Sequence, residues 1–314
     1  MMKIVYAGAP EFSVAPLKSL SEADFRVIAV VTQPDKPVGR KAVLTPTPLK
    51  SYALSQGIPV YDFAKIREHA AELRALGADV MITCAYGQLL TQEVLDAFPA
   101  GVYNIHASLL PRWRGASPIQ HAILAGDIQT GVTVMKTDIG LDTGDMLLCE
   151  KTPVLPDDTA GTLSEKLSSL GGECIVRAMK ELEAGAAAFA KQDGARATVC
   201  KKIGKEDCLT DFARPAEEVC RLIRAMNPSP LAYAFLKGKL VNFYFAEPCG
   251  AQADAAAAPG EVVRADKTGV YVAAGGGYVK ITELQLEGGK RMRAADAVNG
   301  RKIAAGDIFA KERA

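Results

Sequence analysis

Short apolar runs alternate with helical patterns over the first half of the chain. Strands are predicted at 4–7, 26–32, 59–61, 79–84 and 102–105. Between them, apolar residues recur at helical spacing and predict helices at 13–20, 49–56, 66–76 and 93–98. Strands that alternate with helices form right-handed crossovers, so we expect a Rossmann-like, mostly parallel sheet covered on both faces.

Three further segments complete this first half. Residues 33–48 are rich in proline and basic residues and are predicted to form a loop. Two later apolar runs, 132–135 and 146–149, predict strands that pair antiparallel. Residues 163–182 keep a helical period throughout and predict one long helix.

The pattern changes after residue 183. Residues 184–190 are small, and 191–205 are basic and irregular, which is typical of an interdomain linker. A helix is predicted at 216–225, followed by closely spaced short strands at 232–236, 240–246, 261–265, 270–273 and 278–286. Such strands predict a small, OB-like antiparallel barrel, with the low-complexity stretch 251–258 as a surface loop. We therefore divide the chain into an α/β domain (1–188), a linker (189–205) and a barrel domain (206–314).

Composition narrows the class of protein. A chain of 314 residues suits two domains, and 49% hydrophobic with 23% charged residues is ordinary for a globular protein. The net charge of +1 gives no general attraction to nucleic acid, so any RNA contact must come from local basic patches. Seven cysteines without a Cys-x-x-Cys pair argue for a reducing compartment and against disulfides or structural zinc. With no signal-peptide pattern and no membrane-length apolar run, we expect a soluble cytoplasmic protein.

The segment from Asn104 to Pro111 is the most informative for chemistry. Side chains alternate along a strand, so Asn104 and His106 point the same way while Ile105 points into the core. In open α/β sheets, ligands bind beyond the carboxyl ends of the strands. An amide and an imidazole at such an end can bind a carbonyl oxygen and handle a proton, although a purely structural histidine is an equal alternative. The other two histidines, His69 and His121, are interpreted as surface and structural residues.

A second segment, 138–145, places three aspartates among glycines in a tight loop. One aspartate could orient His106 and favour its charged form. The alternative is a turn in which the aspartates cap backbone N–H groups. Asp142-Thr143-Gly144 also matches the aspartic-protease triplet, but those enzymes need two such aspartates and the chain has one.

Cofactor motifs are missing from the sequence. Gly8-Ala9-Pro10 is not a dinucleotide-binding glycine loop, and Pro10 would remove a phosphate-binding N–H group, so a nicotinamide cofactor is not expected. There is no Walker motif and no metal-ligand cluster in the sequence, and we expect chemistry without a metal.

Two signatures identify a resemblance. Residues 104–120 and 140–145 are similar to those of the methionyl-tRNA formyltransferases, within the formyltetrahydrofolate-dependent formyltransferase family, and the resemblance covers nearly the whole chain. It implies an enzyme that moves the formyl group of 10-formyltetrahydrofolate to the α-amino group of initiator methionyl-tRNA for translation initiation. It implies a catalytic trio of Asn104, His106 and Asp142. The residues that it places against the folate are Ser108, Leu109, Leu110, Pro111, Tyr86 and Gly87. Separately, we expect a monomeric protein.

Other formyltransferases, acting on sugar amines or purine precursors, share the first signature. Residues 32–40, 86–87 and 223–228 favour the tRNA enzyme, since they resemble its tRNA-contacting loop, a strand end and its C-terminal domain. The tRNA contacts that this implies are Lys36, Arg40, Lys41, Lys201, Lys202, Lys290, Arg291 and Arg293, each of which could instead be an ordinary solvated charge. A non-catalytic folate- or RNA-binding module and a hydrolase releasing formate remain alternative functions.

Overall fold

The computed structural model describes residues 1–39, 42–250 and 257–313. These form two compact units. The first unit comprises Met1–Pro118, Gln129–Pro153 and Ser164–Lys201, and the second comprises Ile119–Ile128, Val154–Leu163 and Lys202–Ala314. The division at 188 and 205 drawn from the sequence remains a prediction.

The first unit is built on a seven-stranded sheet. The strands of this unit, including two small two-stranded pairs, β3 with β4 and β8 with β11, are β1 (Lys3–Gly8), β2 (Arg26–Thr32), β3 (Lys36–Val38), β4 (Val43–Thr45), β5 (Val60–Asp62), β6 (Val80–Cys84), β7 (Val102–His106), β8 (Arg114–Gly115), β9 (Gln129–Lys136), β10 (Met146–Pro153) and β11 (Val199–Cys200). The large sheet has the order β10-β9-β7-β6-β1-β2-β5. The pairs from β5 to β7 are parallel, whereas β9 pairs antiparallel with β7 and with β10. This confirms the Rossmann-like sheet and the antiparallel pair.

Six helices accompany these strands along the chain. They are α1 (Val14–Glu22), α2 (Pro48–Ser55), α3 (Ala70–Ala75), α4 (Gln92–Leu95), α5 (Pro118–Ala125) and α6 (Ala160–Glu183). Alternation along the strands puts Val5 and Ala7 of β1 on one face of the sheet, in one core cluster with Leu73 of α3 and Val94 of α4.

The long helix predicted at 163–182 is found as α6, which is slightly longer at both ends.

Two predicted segments differ in kind from the sequence prediction, and the helix predicted at 93–98 is the shorter α4. The helix predicted over 66–76 is a short 3-10 turn, Ile66–Glu68, followed by α3. His69 separates them with φ −121, because its ring stacks on Phe63 and its Nδ1 contacts Glu72. The loop predicted at 33–48 contains the hairpin of β3 and β4, whose exposed residues carry no burial period that could reveal a strand.

The second unit contains an antiparallel barrel. Its elements after residue 201 are α7 (Ala216–Ala225), β12 (Ala232–Leu236), β13 (Lys239–Cys249), β14 (Val262–Asp266), β15 (Gly269–Ala274), β16 (Gly277–Leu286), β17 (Met292–Arg293), α8 (Ala294–Asn299) and β18 (Phe309–Ala310). The sheet order is β14-β15-β16-β13-β12-β18, with β17 on β16. Burial alternates along β12, as expected for a sheet with one face in the core.

Three backbone hydrogen bonds join the edges of this second sheet. Phe309 donates its N–H to the carbonyl of Gly260, Val262 donates to Asp307, and Gly306 donates to Val262, each at 2.8 Å. The segment that leads into β14, at one edge of the sheet, thus meets the segment that leads into β18 at the other edge. The predicted barrel class is confirmed, while most of the predicted surface loop 251–258 lies outside the described residues.

No helix in the described part of the chain is long and apolar enough to cross a lipid bilayer.

Candidate active site

The candidate site lies where β7 ends at His106. Asn104 and His106 alternate with Ile105, which is buried in the core. The neighbouring parallel strand β6 brings Thr83 into register with Asn104. The sheet edge thus presents the amide and the imidazole on one face, as the strand period predicts.

Thr83 fixes the orientation of the Asn104 amide. The Thr83 hydroxyl donates to Asn104 Oδ1 at 3.0 Å, which turns the amide nitrogen the other way. Asn104 Nδ2 lies 3.5 Å from Asp142 Oδ1. An amide nitrogen has two N–H donors, and this contact uses one of them.

Both ring nitrogens of His106 face acceptors. Nε2 lies 2.8 Å from the carbonyl oxygen of Trp113, and Nδ1 lies 3.6 Å from Asp142 Oδ2. A carbonyl only accepts hydrogen bonds, so the proton of the ring must be on Nε2. A second proton on Nδ1 would make a cation beside the carboxylate. The imidazole is 6% exposed, which shields this contact from water.

Asp142 reaches the site from the loop between β9 and β10. Its backbone is left-handed, with φ 52, a conformation that aspartate tolerates better than most residues. The carboxylate is 15% exposed, and its Oδ2 accepts the N–H of Gly115 at 2.8 Å. Asp138 in the same loop accepts from Gly140 N–H and the Thr143 hydroxyl. The loop therefore combines both sequence interpretations, since Asp138 caps a turn and Asp142 approaches His106.

The segment predicted to contact folate is only partly accessible. Ser108 is fully buried and its hydroxyl donates to the carbonyl of Arg112 at 2.6 Å, while Leu110 is also buried. Leu109 and Pro111 are half-buried. Thr133 of β9 holds this turn, because its hydroxyl bonds the Ser108 carbonyl and accepts the N–H of Leu110. Apolar surface from Leu109 and Pro111 is what a ligand can reach here.

Tyr86 and Gly87 follow the end of β6. Tyr86 is 3% exposed, and its hydroxyl has no hydrogen-bond partner among the described residues. Burial raises the pKa of the Tyr86 hydroxyl, which therefore remains a donor at neutral pH. Gln33 Nε2 donates to the Tyr86 carbonyl at 2.8 Å. The next residue, Gly87, is exposed. The Tyr86 ring belongs to the core cluster with Val5 and Met81, so the residue supports the end of β6 from inside.

The basic residues predicted to contact tRNA are all exposed where the structure describes them. Arg40 and Lys41 lie outside the described residues. Lys36 donates to Gln33 at 2.6 Å, while Arg291 pairs with Glu283 and Arg293 with Asp296. Lys201, Lys202 and Lys290 are exposed. Their side chains are available to solvent, and none of them belongs to the Asn104–His106–Asp142 cluster.

Sequence reasoning missed the residues that hold this cluster in place. Thr83, Gly115 and Gln192 bond members of the cluster or their loops. Gln192 is 50 residues from Asp142 and 78 from Arg114, the two residues that it joins. A single glutamine in an irregular segment carries no spacing signal, so only the folded structure reveals it.

Comparison with known proteins places this architecture in a family. A model described as formyl transferase matches residues 2–179, and one described as formyl transferase, C-terminal domain, matches residues 202–302. The chain belongs to the formyl transferase family. Its resemblance to the methionyl-tRNA formyltransferases is confirmed by full-length relatives of that name. The protein of Ectopseudomonas mendocina is 46% identical over 96% of this chain and 95% of its own length, and that of Chromobacterium violaceum is 46% identical over 97% and 98%.

Solved structures share the fold at low identity. An N-formyltransferase from Helicobacter canadensis, solved with folinic acid and dTDP-3-aminofucose, has a TM-score of 0.68 and 18% identity over 93% of this chain and all of its own. HypX from Aquifex aeolicus, solved with tetrahydrofolic acid, has a TM-score of 0.67 and 19% identity over 95% of this chain, which spans 47% of HypX. At these identities the likeness concerns the fold alone.

Proposed function

We propose that this protein transfers the formyl group of 10-formyltetrahydrofolate to the α-amino group of methionine on initiator tRNA. Methionyl-tRNA formyltransferases match it at 46% identity over nearly the whole of both chains, which is the observation that carries the proposal. The cluster of Asn104, His106 and Asp142 supplies chemistry that suits acyl transfer. The product, N-formylmethionyl-tRNA, serves translation initiation, and we place the enzyme in the cytoplasm as a monomer.

The amine attacks the formyl carbon directly, with no covalent enzyme intermediate. A carbon–nitrogen bond forms, the carbonyl oxygen becomes an oxyanion, and the bond from carbon to the folate nitrogen then breaks. The amine loses a proton and the leaving nitrogen gains one. An α-amine has a reference pKa of about 8, so some of it is neutral at pH 7.

Asn104 is the group best placed to stabilise the oxyanion. Its second amide N–H is not used by the contact with Asp142. A donor of this kind contributes about 3–4 kcal/mol to the transition state. His106 contributes a second donor by exchanging the Trp113 carbonyl for the oxyanion, while Asp142 keeps the ring oriented. Transfer of the proton from the attacking amine to the folate nitrogen, through Asp142 or a bound water, would raise the rate by a factor of about 10²–10⁴.

The folate would lie against the two loop segments at the ends of β6 and β7. Leu109 and Pro111 offer apolar surface to a flat ring, and the exposed Gly87 offers backbone to its polar groups, while the Tyr86 ring packs in the core beneath. Ser108 and Leu110 act by shaping the turn. These features fit a partly polar, planar carrier.

The tRNA would be bound by local basic residues. Lys36, Lys201, Lys202 and Lys290 are exposed, and Arg40 and Lys41 belong to the same prediction from the sequence. Arg291 and Arg293 would have to share their charge with existing carboxylate partners. We assign catalysis to a domain over 1–188 and tRNA binding to the OB-like domain over 206–314, joined by 189–205.

One incubation tests the function. The protein is mixed with 10-formyltetrahydrofolate and methionylated initiator tRNA, and N-formylmethionine is measured by mass after the ester is hydrolysed. Parallel incubations contain methionylated elongator tRNA, an amino-sugar nucleotide, a purine-precursor amine or no acceptor. Formylmethionine only with the initiator tRNA is the expected result. Preferred transfer to a small amine, formate release without acceptor, or no turnover would each reject the proposal in favour of an alternative function.

A further inference from the structure

The segment 189–200, which we name the strap, is bound at both ends to loops of the candidate site. Near its start, Ala190 and Met146 exchange backbone hydrogen bonds of 2.8 and 2.9 Å, so the strap pairs with the beginning of β10. At its end, β11 pairs in parallel with β8. The hydroxyl of Thr198 also accepts the N–H of Trp113 at 2.9 Å. The strap therefore connects the loop after β9 to the loop after β7.

Gln192 makes the side-chain link in the middle of the strap. Its Oε1 accepts from Arg114 Nε at 3.0 Å and from the terminal guanidinium nitrogen at 2.8 Å. Its Nε2 donates to the carbonyls of Asp142 at 2.9 Å and Gly144 at 2.8 Å. A primary amide has two donors and two acceptor lone pairs, so all four are used. At position 192, glutamate would lack the two donors, and methionine would lack both the donors and the acceptor. Asparagine would carry the same amide on a side chain that is one carbon shorter.

The two loops that Gln192 joins carry the groups that face the two ring nitrogens of His106. One loop supplies the Asp142 carboxylate, and the other supplies the Trp113 carbonyl. The second loop also supplies the Gly115 N–H, which donates to Asp142. Asp142 and Trp113 both have left-handed backbones, with φ 52 and 62. Such conformations persist only where surrounding contacts determine them. The separation of 3.6 Å between His106 and Asp142 thus depends on how the loops are held together.

We infer that Gln192 is a positioning residue for formyl transfer, which sets the distance between the Asp142 carboxylate and His106 by tying their two loops together. This inference rests on the proposed function, since it assigns Gln192 a role in that reaction. Gln192 acts through the backbone of Asp142 and the side chain of Arg114. A displacement of about 1 Å at a reacting group can cost about 10²-fold in rate, so loosening this link should lower kcat.

The test compares Gln192→Met with Gln92→Met. Gln92 makes one exposed side-chain bond, to Asp96 at 2.7 Å on α4, so the same chemical change there breaks no contact of the site. We expect Gln192→Met to lower kcat by about 10–100-fold with the KM for both substrates changed by less than about threefold. Gln92→Met should keep the kcat of the unmodified protein. Thermal midpoints measured on both variants correct the rates for any loss of folded protein.

Imidazole NMR provides a readout that does not depend on turnover. The chain has three histidines, so the His106 nitrogen signals can be assigned by replacing His69 and His121 in turn. Gln192→Met should shift the His106 nitrogen signals, because the Asp142 carboxylate that faces Nδ1 moves, whereas Gln92→Met should leave them in place. Unshifted signals together with an unchanged kcat would overturn the inference.

Gln192→Glu and a double-mutant cycle with Arg114→Met exclude a general packing effect. Glutamate still accepts from Arg114 but cannot donate to the carbonyls of Asp142 and Gly144, so Gln192→Glu should lose as much activity as Gln192→Met. This variant also serves if Gln192→Met does not fold. If Gln192 acts as the link, Arg114→Met should change kcat less in a Gln192→Met background than alone. If the effects of Gln192→Met and Arg114→Met on kcat were fully additive, the role of Gln192 as a link would be refuted.

The proposed function and this inference can fail separately. A native protein that does not formylate methionyl-tRNA refutes the function, while shifted His106 signals in Gln192→Met would still support the positioning role. A native protein that formylates normally alongside fully active Gln192 variants keeps the function and rejects the inference.

Discussion

The Asp142 carboxylate has three partners within the candidate site. Oδ1 lies near the Asn104 amide, while Oδ2 accepts from Gly115 and faces His106. Replacing Asp142 with asparagine keeps the size of the side chain but removes its charge. The new amide can also place an N–H against a donor such as the Gly115 N–H, which only an acceptor can satisfy. We expect Asp142→Asn to lower kcat by about 10²–10⁴-fold, since it removes both the carboxylate that faces His106 and a possible proton acceptor. Single-turnover formylation with saturating substrates measures this effect.

Asp138→Asn is the matched control for that substitution. Asp138 lies in the same loop, and its Oδ1 accepts from Gly140 and Thr143, which asparagine can also do. This variant should keep kcat within about threefold of the native value. Similar losses in both variants would show that the loop tolerates no amide at all, and the charge of Asp142 would then have no special role.

Among the elements, the exposed hairpin of β3 and β4 is tied to the sheet at its base. Lys50 of α2 contacts Asp35, just before the hairpin, and Asp62 at the end of β5, each at 2.7 Å. The hydrogen bonds that Lys50 donates to Asp35 and, second, to Asp62 raise the pKa of Lys50. Because the folded pKa lies above the unfolded value of about 10.4, the stabilisation is complete below that pH. It is lost as the pH rises through the folded pKa.

Lys50→Met tests this ion-pair network. We expect the substitution to lower the free energy of unfolding by about 1 kcal/mol at pH 7–9. The difference in unfolding free energy between the native protein and the variant should become smaller above about pH 10.4, where Lys50 of the native protein starts to lose its charge. Urea unfolding across this pH range gives the measurement. Lys18→Met removes only an exposed pair with Glu22 at 3.6 Å and should change stability by less than about 0.5 kcal/mol. If the difference in unfolding free energy between the native protein and Lys50→Met stayed constant up to the highest pH, the stabilising role of the ion-pair network would be contradicted.

Closure of the barrel depends on Gly260. Its φ is 91, and an added Cβ would overlap the carbonyl oxygen of Phe309, next to the bond that joins the barrel edges. Gly260→Ala should therefore combine backbone strain with a broken closure and cost about 2–3 kcal/mol. Gly276→Ala is the control, because Gly276 has φ 76 but open space around its Cβ position. It should cost only about 1 kcal/mol. Equal losses in urea unfolding would show that closure contributes nothing.

Elements with a strong period were predictable, whereas elements set by distant contacts were not. The helix at Ala216–Ala225 and the strand at Ala232–Leu236 have the predicted bounds, because one side of each is apolar at the expected spacing. The placement of Asn104 and His106 followed from strand alternation and the position of the strand end. By contrast, the hairpin β3–β4 has no buried side, and the link through Gln192 joins residues far apart in sequence. Local patterns contain no information about such contacts.

At the scale of the whole molecule, charge limits how tRNA can be bound. The net charge is +1, so attraction to a polyanion must come from a few exposed lysines and not from the overall field. Many cations of the described chain are already paired, as Arg291 is with Glu283 and Lys280 with Glu247. We therefore expect the affinity for tRNA to depend on salt with a slope that reflects only the residues that contact phosphates.

Two turn lysines of the barrel allow this to be tested on matched positions. Lys290 lies between β16 and β17 and belongs to the predicted tRNA contacts, while Lys267 lies between β14 and β15 and does not. Both are exposed. Lys290→Ala should weaken tRNA binding and reduce the slope of log Kd against log salt by about 1, because one phosphate contact and its counterion release are lost. Lys267→Ala should leave both quantities unchanged. Equal slopes for the two variants would show that the barrel face near Lys290 is solvated and makes no tRNA contact.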